Sequence, residues 1–460
     1  MAEKFDIAVI GSGPGGYAAA IRCAQRGAVA AIIEKENLGG TCLNCGCIPS
    51  KTLLASAHIL TTVKNAGTFG VEVENPKVNW TKMQARKDAI VAGFRKGLTG
   101  LIQSNKIKIF QGCGIVTAKN KITVEGYNPA EIETKKIIIA TGSVPIEIPF
   151  MPFDGEKIIS SAEALCLSQI PKSMVIIGGG VIGCEMACIY ATVGTKITII
   201  EALPTILPFE DEWVGQLLTR EFKKLGINII TGKKAAAYEK LGSGVKLSLE
   251  DSTPIEAEKV LVCVGRKAVC DSRTIKALSL EMNGSIIKVN EKMETSACDV
   301  YAIGDIVGTT YLAHGAFAEA EVAADNATGG DSIMKDYSLV PRAVYTFPEV
   351  AGVGINETKC RQMGIDYTIG RAFFRANGRS LAHNETVGEV RILRDKKTNK
   401  VMGITMVGVG VTEMIACARV LLGSQEPIGE ISFAHPTVCE TLKEAWEDAF
   451  GKSLHIPLRI

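Results

Sequence analysis

A glycine-rich motif of the form GxGxxG occurs twice in this chain of 460 residues, at residues 11–16 and 178–183. Each copy follows a short apolar run and precedes a segment with helical spacing. A second apolar run then ends in a glutamate, Glu34 or Glu201, which lies 23 residues after the first glycine in both copies. The copies are 167 residues apart, which is too far for a solenoid repeat. The sequence therefore predicts two domains of the same strand–turn–helix–strand type.

Each copy has the residues that a dinucleotide-binding turn requires. The first glycine permits a tight turn, the second lets the backbone approach a pyrophosphate, and the third lets the helix pack close to the strand. These glycines are Gly11, Gly13 and Gly16 in the first copy and Gly178, Gly180 and Gly183 in the second. Each terminal glutamate is placed to accept hydrogen bonds from ribose hydroxyls. Two dinucleotides in one chain indicate electron transfer between two redox cofactors.

The second site is expected to bind NAD. An acidic residue at Glu201 favours the free 2′-hydroxyl of NAD and repels the additional phosphate of NADP, which requires a nearby arginine. Residues 202–207 contain neither arginine nor lysine.

Composition narrows the class of protein. The length suggests about three domains, and a net charge of +2 gives no general attraction to nucleic acid or anionic membranes. Fourteen cysteines are too few for a small disulfide scaffold. The N-terminus has no signal-peptide pattern, and no uncharged apolar run reaches 18 residues. We expect a cytoplasmic protein whose cysteines are mostly reduced.

Three cysteines lie within six positions: Cys42, Cys45 and Cys47. A zinc site would need a second ligand pair, and the sequence contains none, so no metal is predicted. On a regular helix, Cα atoms three residues apart lie roughly 5 Å apart, and those five residues apart roughly 8.7 Å. A disulfide requires about 4.4–6.8 Å, which favours Cys42–Cys45. A Cys42–Cys47 pair needs a distorted first turn, which Gly46 and Pro49 would allow. Spacing leaves both pairings open.

Beyond spacing, the sequence resembles a known family. Residues 39–51 (GGTCLNCGCIPSK), the paired glycine motifs and His-Pro-Thr at 435–437 resemble the flavoprotein disulfide reductases over essentially the whole chain. The resemblance implies an α/β fold with two Rossmann-like domains, for FAD and NAD, and a C-terminal α+β dimerisation domain. The implied boundaries are 1–143 for the first part of the FAD domain, 144–267 for the NAD domain, 268–336 for the second part of the FAD domain, and 337–460 for dimerisation.

The resemblance also assigns roles to individual residues. It implies a redox disulfide between Cys42, which exchanges with substrate, and Cys47, which lies against the flavin. Cys45 stands where the family usually has valine, so a Cys42–Cys45 pairing stays open. Lys51 and Glu185 correspond to a buried ion pair near the flavin and nicotinamide. The further implied cofactor contacts are Gly114, Thr141, Gly142, Gly265, Gly304, Asp305 and Ala313.

His435 is the candidate base among five histidines. Its segment resembles the HPTxxE sequence of the family, in which Glu440 would orient one ring nitrogen while the other faces substrate thiols. An imidazole suits deprotonation of a thiol near neutral pH. In the family this dyad crosses the subunit interface, which implies a homodimer. Cys439 replaces a residue that is usually serine, and no role is assigned to it.

Within the family, the strongest likeness is to the members that oxidise protein-bound dihydrolipoamide with NAD⁺. The implied partner is a lipoyl-bearing protein of a 2-oxo acid dehydrogenase or glycine cleavage complex, and the sequence does not indicate which. One alternative is a reductase resembling glutathione reductase, which would use NADPH and another disulfide. Another is a structural subunit without activity, which the intact cysteines and His435 argue against.

Overall fold

The computed structural model describes residues 2–250, 253–423 and 431–456. In these residues the strands are, in chain order, β1 (Glu3–Ile10), β2 (Ala30–Glu34), β3 (Lys108–Gln111), β4 (Cys113–Ala118), β5 (Lys121–Glu125), β6 (Ala130–Ile139), β7 (Ser143–Pro145), β8 (Ile158–Ile159), β9 (Ser173–Ile177), β10 (Lys196–Glu201), β11 (Asn228–Thr231), β12 (Ala235–Leu241), β13 (Gly244–Leu249), β14 (Ile255–Ala257), β15 (Lys259–Val262), β16 (Arg266–Ala268), β17 (Met282–Asn283), β18 (Ile286–Ile287), β19 (Val300–Ala302), β20 (Arg342–Val344), β21 (Glu349–Gly354), β22 (Tyr367–Phe373), β23 (Glu389–Asp395) and β24 (Val401–Gly408).

The α-helices of the same residues are α1 (Pro14–Gln25), α2 (Gly40–Cys45), α3 (Cys47–Lys64), α4 (Trp80–Ser104), α5 (Ser161–Ala164), α6 (Val181–Thr192), α7 (Glu212–Lys224), α8 (Ser272–Leu278), α9 (Ala313–Ala327), α10 (Glu357–Gln362), α11 (Gly378–Ala382), α12 (Val411–Gly423) and α13 (Glu440–Ala449).

The first glycine motif belongs to a seven-stranded sheet of order β3-β2-β1-β6-β5-β4, with β19 also paired to β6. Strands β2 and β6 are parallel to β1. The end of β1, from Ile7 to Ile10, is apolar and buried, as expected for a parallel strand covered on both faces. The parallel pairing of β19, with Val300 opposite Ile137, shows that the chain returns to this sheet after the second motif. We call this sheet and its helices the first nucleotide unit.

The second glycine motif belongs to a separate parallel sheet of order β11-β10-β9-β15-β8, the second nucleotide unit. Two short strands, β7 and β16, form an antiparallel ribbon in which Val144 lies opposite Lys267. The chain leaves the first unit through β7 and comes back through β16. The four domain boundaries given above remain a prediction.

The third unit is an antiparallel sheet of order β20-β21-β24-β23-β22, covered by α12 and α13. Helix α13 lies directly on β22, because a methyl group at Gly370 would lie 2.0 Å from the carbonyl oxygen of Ala445. The buried residues Leu442, Ala445 and Ala449 form the face of α13 that packs on the sheet.

A first nucleotide unit with a mixed sheet, a second with a parallel sheet and a third unit with an antiparallel sheet make up the α/β class that the sequence predicts. Among the described residues, no helix combines the length and apolar character that crossing a membrane requires.

Candidate redox site

The first glycine turn brings backbone groups into very close contact. Gly11 has a φ of 99°, a left-handed conformation that favours glycine. A methyl group at Gly16 would lie 2.0 Å from the carbonyl oxygen of Gly11, so only glycine lets α1 begin against this turn. Gly13 is the N-cap of α1, and a side chain there would meet no atom within 4 Å. Open space at a helix N-terminus suits a phosphate group.

Glu34 is buried at the end of β2 and fixed by its neighbours. One carboxylate oxygen accepts hydrogen bonds from the backbone N–H of Ser12 at 2.9 Å and from the Ser12 hydroxyl at 2.5 Å. The other oxygen accepts the N–H of Glu36 at 2.8 Å. The carboxylate is thereby fixed beside the glycine turn, where a ribose would lie.

The second glycine turn repeats this geometry. Gly178 has a φ of 107°, and a methyl group at Gly183 would lie 2.0 Å from the Gly178 carbonyl oxygen. Glu201 accepts the N–H of Gly179 at 2.7 Å and that of Leu203 at 2.8 Å. No hydroxyl corresponds to that of Ser12. The side chain of Ile206 instead lies where a side chain at position 179 would be, since a methyl group there would be 2.7 Å from it.

The cysteine segment is not one regular helix. Helix α2 ends at Cys45, Gly46 breaks the helix with φ −141° and ψ −111°, and α3 begins at Cys47. A methyl group at Gly46 would lie 2.9 Å from the carbonyl oxygen of Thr41 and 3.3 Å from the Cα of Cys42. The glycine thus lets the chain fold back on Cys42, so a distance calculated for a continuous helix does not apply to Cys42 and Cys47.

Cys42 and Cys47 are free thiols in the structure, and their side chains are hydrogen-bonded to each other. That hydrogen bond raises the pKa of Cys42 well above its usual range, and burial adds to the effect. The same bond lowers the pKa of Cys47 to about 7, against the opposing effect of burial and with help from the charge of Lys51. Cys47 is therefore the thiol of the pair that ionises near neutral pH, stabilised by the S–H of Cys42.

Cys45 has different surroundings. Burial raises the pKa of its thiol, and the groups that act on it electrostatically are chiefly Arg266, Glu36, Cys166 and Glu163. The third cysteine of the cluster thus lies in a separate environment from the Cys42–Cys47 pair.

Lys51 and Glu185 form an ion pair beside these thiols. The Lys51 ammonium, on α3, lies 2.8 and 3.0 Å from the two carboxylate oxygens of Glu185, on α6. The side chain of Glu185 is 4% exposed. Its carboxylate also accepts the backbone N–H of Tyr345 at 3.1 Å. Sequence reasoning missed Tyr345, because nothing in its local pattern indicates a contact with a residue 160 positions away.

Asp305 belongs to a polar cluster at the edge of the first unit. It accepts a hydrogen bond from the Ser143 hydroxyl at 2.5 Å, and Arg266 donates to the same hydroxyl at 2.7 Å. The N–H of the preceding Gly304 donates to the buried Glu319 at 2.6 Å. The sequence pointed to Asp305 and Gly304 but assigned no contact to Ser143, Arg266 or Glu319. Ser143 lies 162 positions from Asp305 and Arg266 lies 123 positions from Ser143, whereas Glu319 is only 15 positions from Gly304.

Other predicted cofactor residues lie around the two glycine turns. The buried Thr141 hydroxyl has no hydrogen-bond partner among the described residues, and a side chain at Gly142 would meet no atom within 4 Å. Gly114, in β4, packs tightly on Ile33 at the end of β2. Gly265 has a φ of 130°, and Ala313 is the first residue of α9.

His435 and Glu440 form the predicted dyad. The His435 Nδ1 atom lies 2.9 Å from one Glu440 oxygen, and the N–H of Thr437 donates to the other at 2.8 Å. Burial opposes the shift, but these hydrogen bonds lower the pKa of the Glu440 carboxyl. The imidazole is 79% exposed, and the chief influences on the Cys42 and Cys47 thiols do not include it. One chain brings the thiols together with the ion pair but leaves the dyad facing outward.

The sequence matches two family profiles. Residues 5–324 match the profile described as pyridine nucleotide-disulphide oxidoreductase, and residues 340–446 match the dimerisation domain of the same group.

Similar proteins extend over nearly the whole chain. A dihydrolipoyl dehydrogenase of Bacillus subtilis is 38% identical over 98% of this chain and 99% of its own. The Chlamydia trachomatis protein of that name is 38% identical over 99% of both chains. The mitochondrial protein of Pisum sativum is 38% identical over 99% of this chain and 93% of its own.

Solved structures show the same fold. The LpdA protein of Mycobacterium tuberculosis superposes with a TM-score of 0.90 at 24% identity, covering 97% of this chain and 99% of that one. A Cu(II) complex of the HOCl-induced flavoprotein disulfide reductase RclA of Escherichia coli gives a TM-score of 0.87 at 25% identity, with the same coverage.

Proposed function

The chain belongs to the pyridine nucleotide-disulphide oxidoreductase family, and from that premise we propose that it is a dihydrolipoyl dehydrogenase, which oxidises protein-bound dihydrolipoamide to lipoamide with NAD⁺ as acceptor. The name of its 38%-identical relatives supports this activity. The observation that carries the proposal is the contact between Cys42 and Cys47 beside the Lys51–Glu185 ion pair. That arrangement supplies a dithiol with one readily ionised member next to two nucleotide sites.

The enzyme uses FAD and NAD, and its residues fit both. The open N-terminus of α1 at Gly13 and the unpartnered Thr141 hydroxyl leave polar groups free for FAD. Asp305 and Glu34 lie on the same unit and would hold the ribityl chain and the ribose. When bound there, FAD would supply a two-electron carrier between the dithiol and NAD⁺. Gly180 and Glu201 would hold NAD in the equivalent positions of the second unit.

The thiol chemistry follows from the cysteine pair in its oxidised, disulfide form. His435 takes a proton from one dihydrolipoyl thiol, and the resulting thiolate attacks the Cys42 sulfur. The Cys42–Cys47 bond breaks, and Cys47 leaves as a thiolate. Its lowered pKa makes it a good leaving group. The second substrate thiol attacks the lipoyl sulfur of the mixed disulfide, the bond to Cys42 breaks, and the proton of that thiol goes to the departing Cys42 sulfur while His435 keeps the first proton. Lipoamide leaves with its ring closed, and the cysteines hold the two electrons as a thiol and a thiolate.

The position of the dyad supports a homodimer. The dimerisation-domain match covers residues 340–446, which include both His435 and Glu440. We propose that each dyad serves the cysteine pair of the other subunit, because the imidazole is exposed on its own chain. The proposed partner is a lipoyl-bearing protein of a 2-oxo acid dehydrogenase or glycine cleavage complex. The cytoplasm is proposed as the location from the sequence alone.

A paired assay tests the function. NAD⁺ reduction by dihydrolipoamide is measured beside NADPH oxidation by glutathione disulfide, using the purified enzyme loaded with FAD. We expect activity only in the first reaction and parallel double-reciprocal plots, since two separate half-reactions give ping-pong kinetics. Activity only with glutathione disulfide would contradict the proposal, and converging plots would contradict the separation of the half-reactions.

A further inference from the structure

Tyr345 contacts the Lys51–Glu185 ion pair from the third unit. It follows β20 and reaches the point where α3 of the first unit meets α6 of the second. Its backbone N–H donates to Glu185 at 3.1 Å, and the centre of its ring lies 4.7 Å from the Lys51 ammonium. All three units of the chain therefore meet at one ion pair.

The two contacts of Tyr345 differ in what they need from the residue. Any residue other than proline can donate the backbone hydrogen bond, but only an aromatic side chain attracts an ammonium group to its face. The direct contacts to the ion pair are made by the ring face and the backbone N–H, and the phenol group acts on the pair only electrostatically. A comparison of aromatic and aliphatic residues at position 345 therefore isolates the ring.

Lys51 needs such a restraint. Its ammonium is a compact charge on a flexible stem, and its side chain is 33% exposed, whereas that of Glu185 is 4% exposed. Electrostatic interactions weaken as a charge moves into water, where the dielectric constant is high. An ammonium that turned toward solvent would act less on the neighbouring thiols.

We propose that Tyr345 is a positioning residue for the redox pair: its ring holds the Lys51 ammonium where that charge stabilises the Cys47 thiolate. The inference rests on the proposed function, since it concerns the same dithiol.

The surroundings of Cys47 and Lys51 agree with this role. Cys47 is acted on by Cys42 from α2, by Lys51 from α3 and by Glu185 from α6. The hydrogen bond from Cys42 has the largest effect on the pKa of Cys47, and the charge of Lys51 lowers it further while Glu185 opposes it. Lys51 in turn is faced by Glu185, Cys47 and Tyr345. Tyr345 is thus the only one of these neighbours contributed by the third unit.

The test compares Tyr345→Leu with Tyr345→Phe in the reduced, FAD-loaded enzyme. Both variants keep the backbone N–H, and only phenylalanine keeps the ring. The readout is the rate at which iodoacetamide alkylates Cys47, located by mass spectrometry, as a function of pH. We expect Tyr345→Leu to raise the midpoint for Cys47 by about half a pH unit, which is roughly a threefold change in the ratio of thiolate to thiol. Tyr345→Phe should match the wild type.

Two results would overturn the proposal: a wild-type midpoint in Tyr345→Leu, or an equal rise in both variants, which would assign the effect to the hydroxyl. Tyr345→Met provides the same comparison if the leucine variant does not fold. The wild-type enzyme is also assayed with dihydrolipoamide. Lack of that activity would refute the proposed function, whereas normal activity with unchanged midpoints would refute only the role of Tyr345.

Discussion

The two nucleotide units share one geometry but differ in the segment that follows it. In each, a glutamate accepts a backbone N–H from the glycine turn 22 residues earlier and another from two residues later. In each, the third glycine packs against the first so closely that a methyl group would lie 2.0 Å from a carbonyl oxygen. The common frame explains why both can hold a dinucleotide.

After Glu34 the first unit turns at once into the cysteine segment. A methyl group at Gly40, where α2 begins, would lie 2.7 Å from the Cα of Gly13, so the thiol helix starts against the phosphate-binding turn. The segment for which we propose the thiol chemistry is thus attached directly to the glycine turn of the first unit.

After Glu201 the second unit instead forms a loop that is hydrogen-bonded and ion-paired to the third unit. Buried Glu210 pairs with Arg342 at 2.6 Å, and Asp211 accepts the N–H groups of Glu357 and Thr358 at the start of α10. The comparison shows that the same glycine-turn frame is followed by the cysteine segment in the first unit and by contacts with the third unit in the second.

The largest effect is expected when one redox thiol is removed and the coenzyme site is left unchanged. Cys47→Ser should lower dihydrolipoamide oxidation by roughly 10³-fold or more, because the leaving thiolate is lost. Reduction of bound FAD by NADH should stay within about threefold of wild type, since the second unit is unchanged. Stopped-flow absorbance measures the flavin step and steady-state assays measure the overall reaction. Cys42→Ser is the matched variant and should show the same two results. Equal losses in dihydrolipoamide oxidation and in FAD reduction by NADH would contradict the idea that the thiol chemistry and the coenzyme site are separate.

A second test adds one methyl group to each glycine turn. Gly183→Ala and Gly16→Ala both face a carbonyl oxygen, and overpacking of this kind costs about 1–3 kcal/mol. We expect Gly183→Ala to raise the KM for NAD⁺ by about tenfold with FAD retained. Gly16→Ala should instead lose bound FAD, measured by the ratio of flavin to protein absorbance. Gly67→Ala, where a methyl group meets no atom within 4 Å, is the control. Identical defects in the two variants would mean that the units are not independent.

A third test concerns the two glutamates. Glu201→Ser should lower kcat/KM for NAD⁺ by about tenfold, as expected for a lost hydrogen bond to a charged group. The ratio of kcat/KM for NAD⁺ to that for NADP⁺ should therefore fall. Glu34→Ser should lower the fraction of enzyme that retains FAD and leave the ratio of the two kcat/KM values unchanged. Steady-state kinetics with both coenzymes provide the measurement. A wild-type enzyme that used both equally well would contradict the role assigned to Glu201.

The smallest effect is expected at the third cysteine. Cys45→Val should keep turnover within about twofold, because the Cys45 thiol is affected by Arg266 and Glu36 and not chiefly by the redox pair. Turnover with dihydrolipoamide is the measurement. If Cys45→Val abolished activity and Cys47→Ser did not, the pairing of Cys42 with Cys47 would be wrong.

Whether a feature could be predicted from the sequence depends on how many positions separate the residues that form it. The strand–turn–helix frames are local patterns, and both were placed to within a few residues. The contact of His435 with Glu440 joins residues five positions apart and was predicted from the resemblance of that short segment to a sequence of the family. The Lys51–Glu185 pair joins residues 134 positions apart and came only from family resemblance.

The cysteine pairing needed a backbone conformation that spacing does not reveal. A regular helix favoured Cys42–Cys45, and the break at Gly46 changes that geometry. Tyr345, Ser143 and Arg266 escaped prediction because their contacts join residues far apart in the chain, 160 positions for Tyr345 with Glu185, 162 for Ser143 with Asp305 and 123 for Arg266 with Ser143.

The ribbon of β7 and β16 determines how the second unit is connected to the first. Paired antiparallel strands place their backbones about 5 Å apart, so the segment between Pro145 and Arg266 leaves and rejoins the first unit at nearly one point. A tight turn could replace that whole segment and leave the connections of the first sheet, including β19, unchanged. The second unit is therefore an insertion within the chain of the first unit, covalently joined to it at one place, and its remaining attachment depends on side-chain contacts such as the Lys51–Glu185 ion pair.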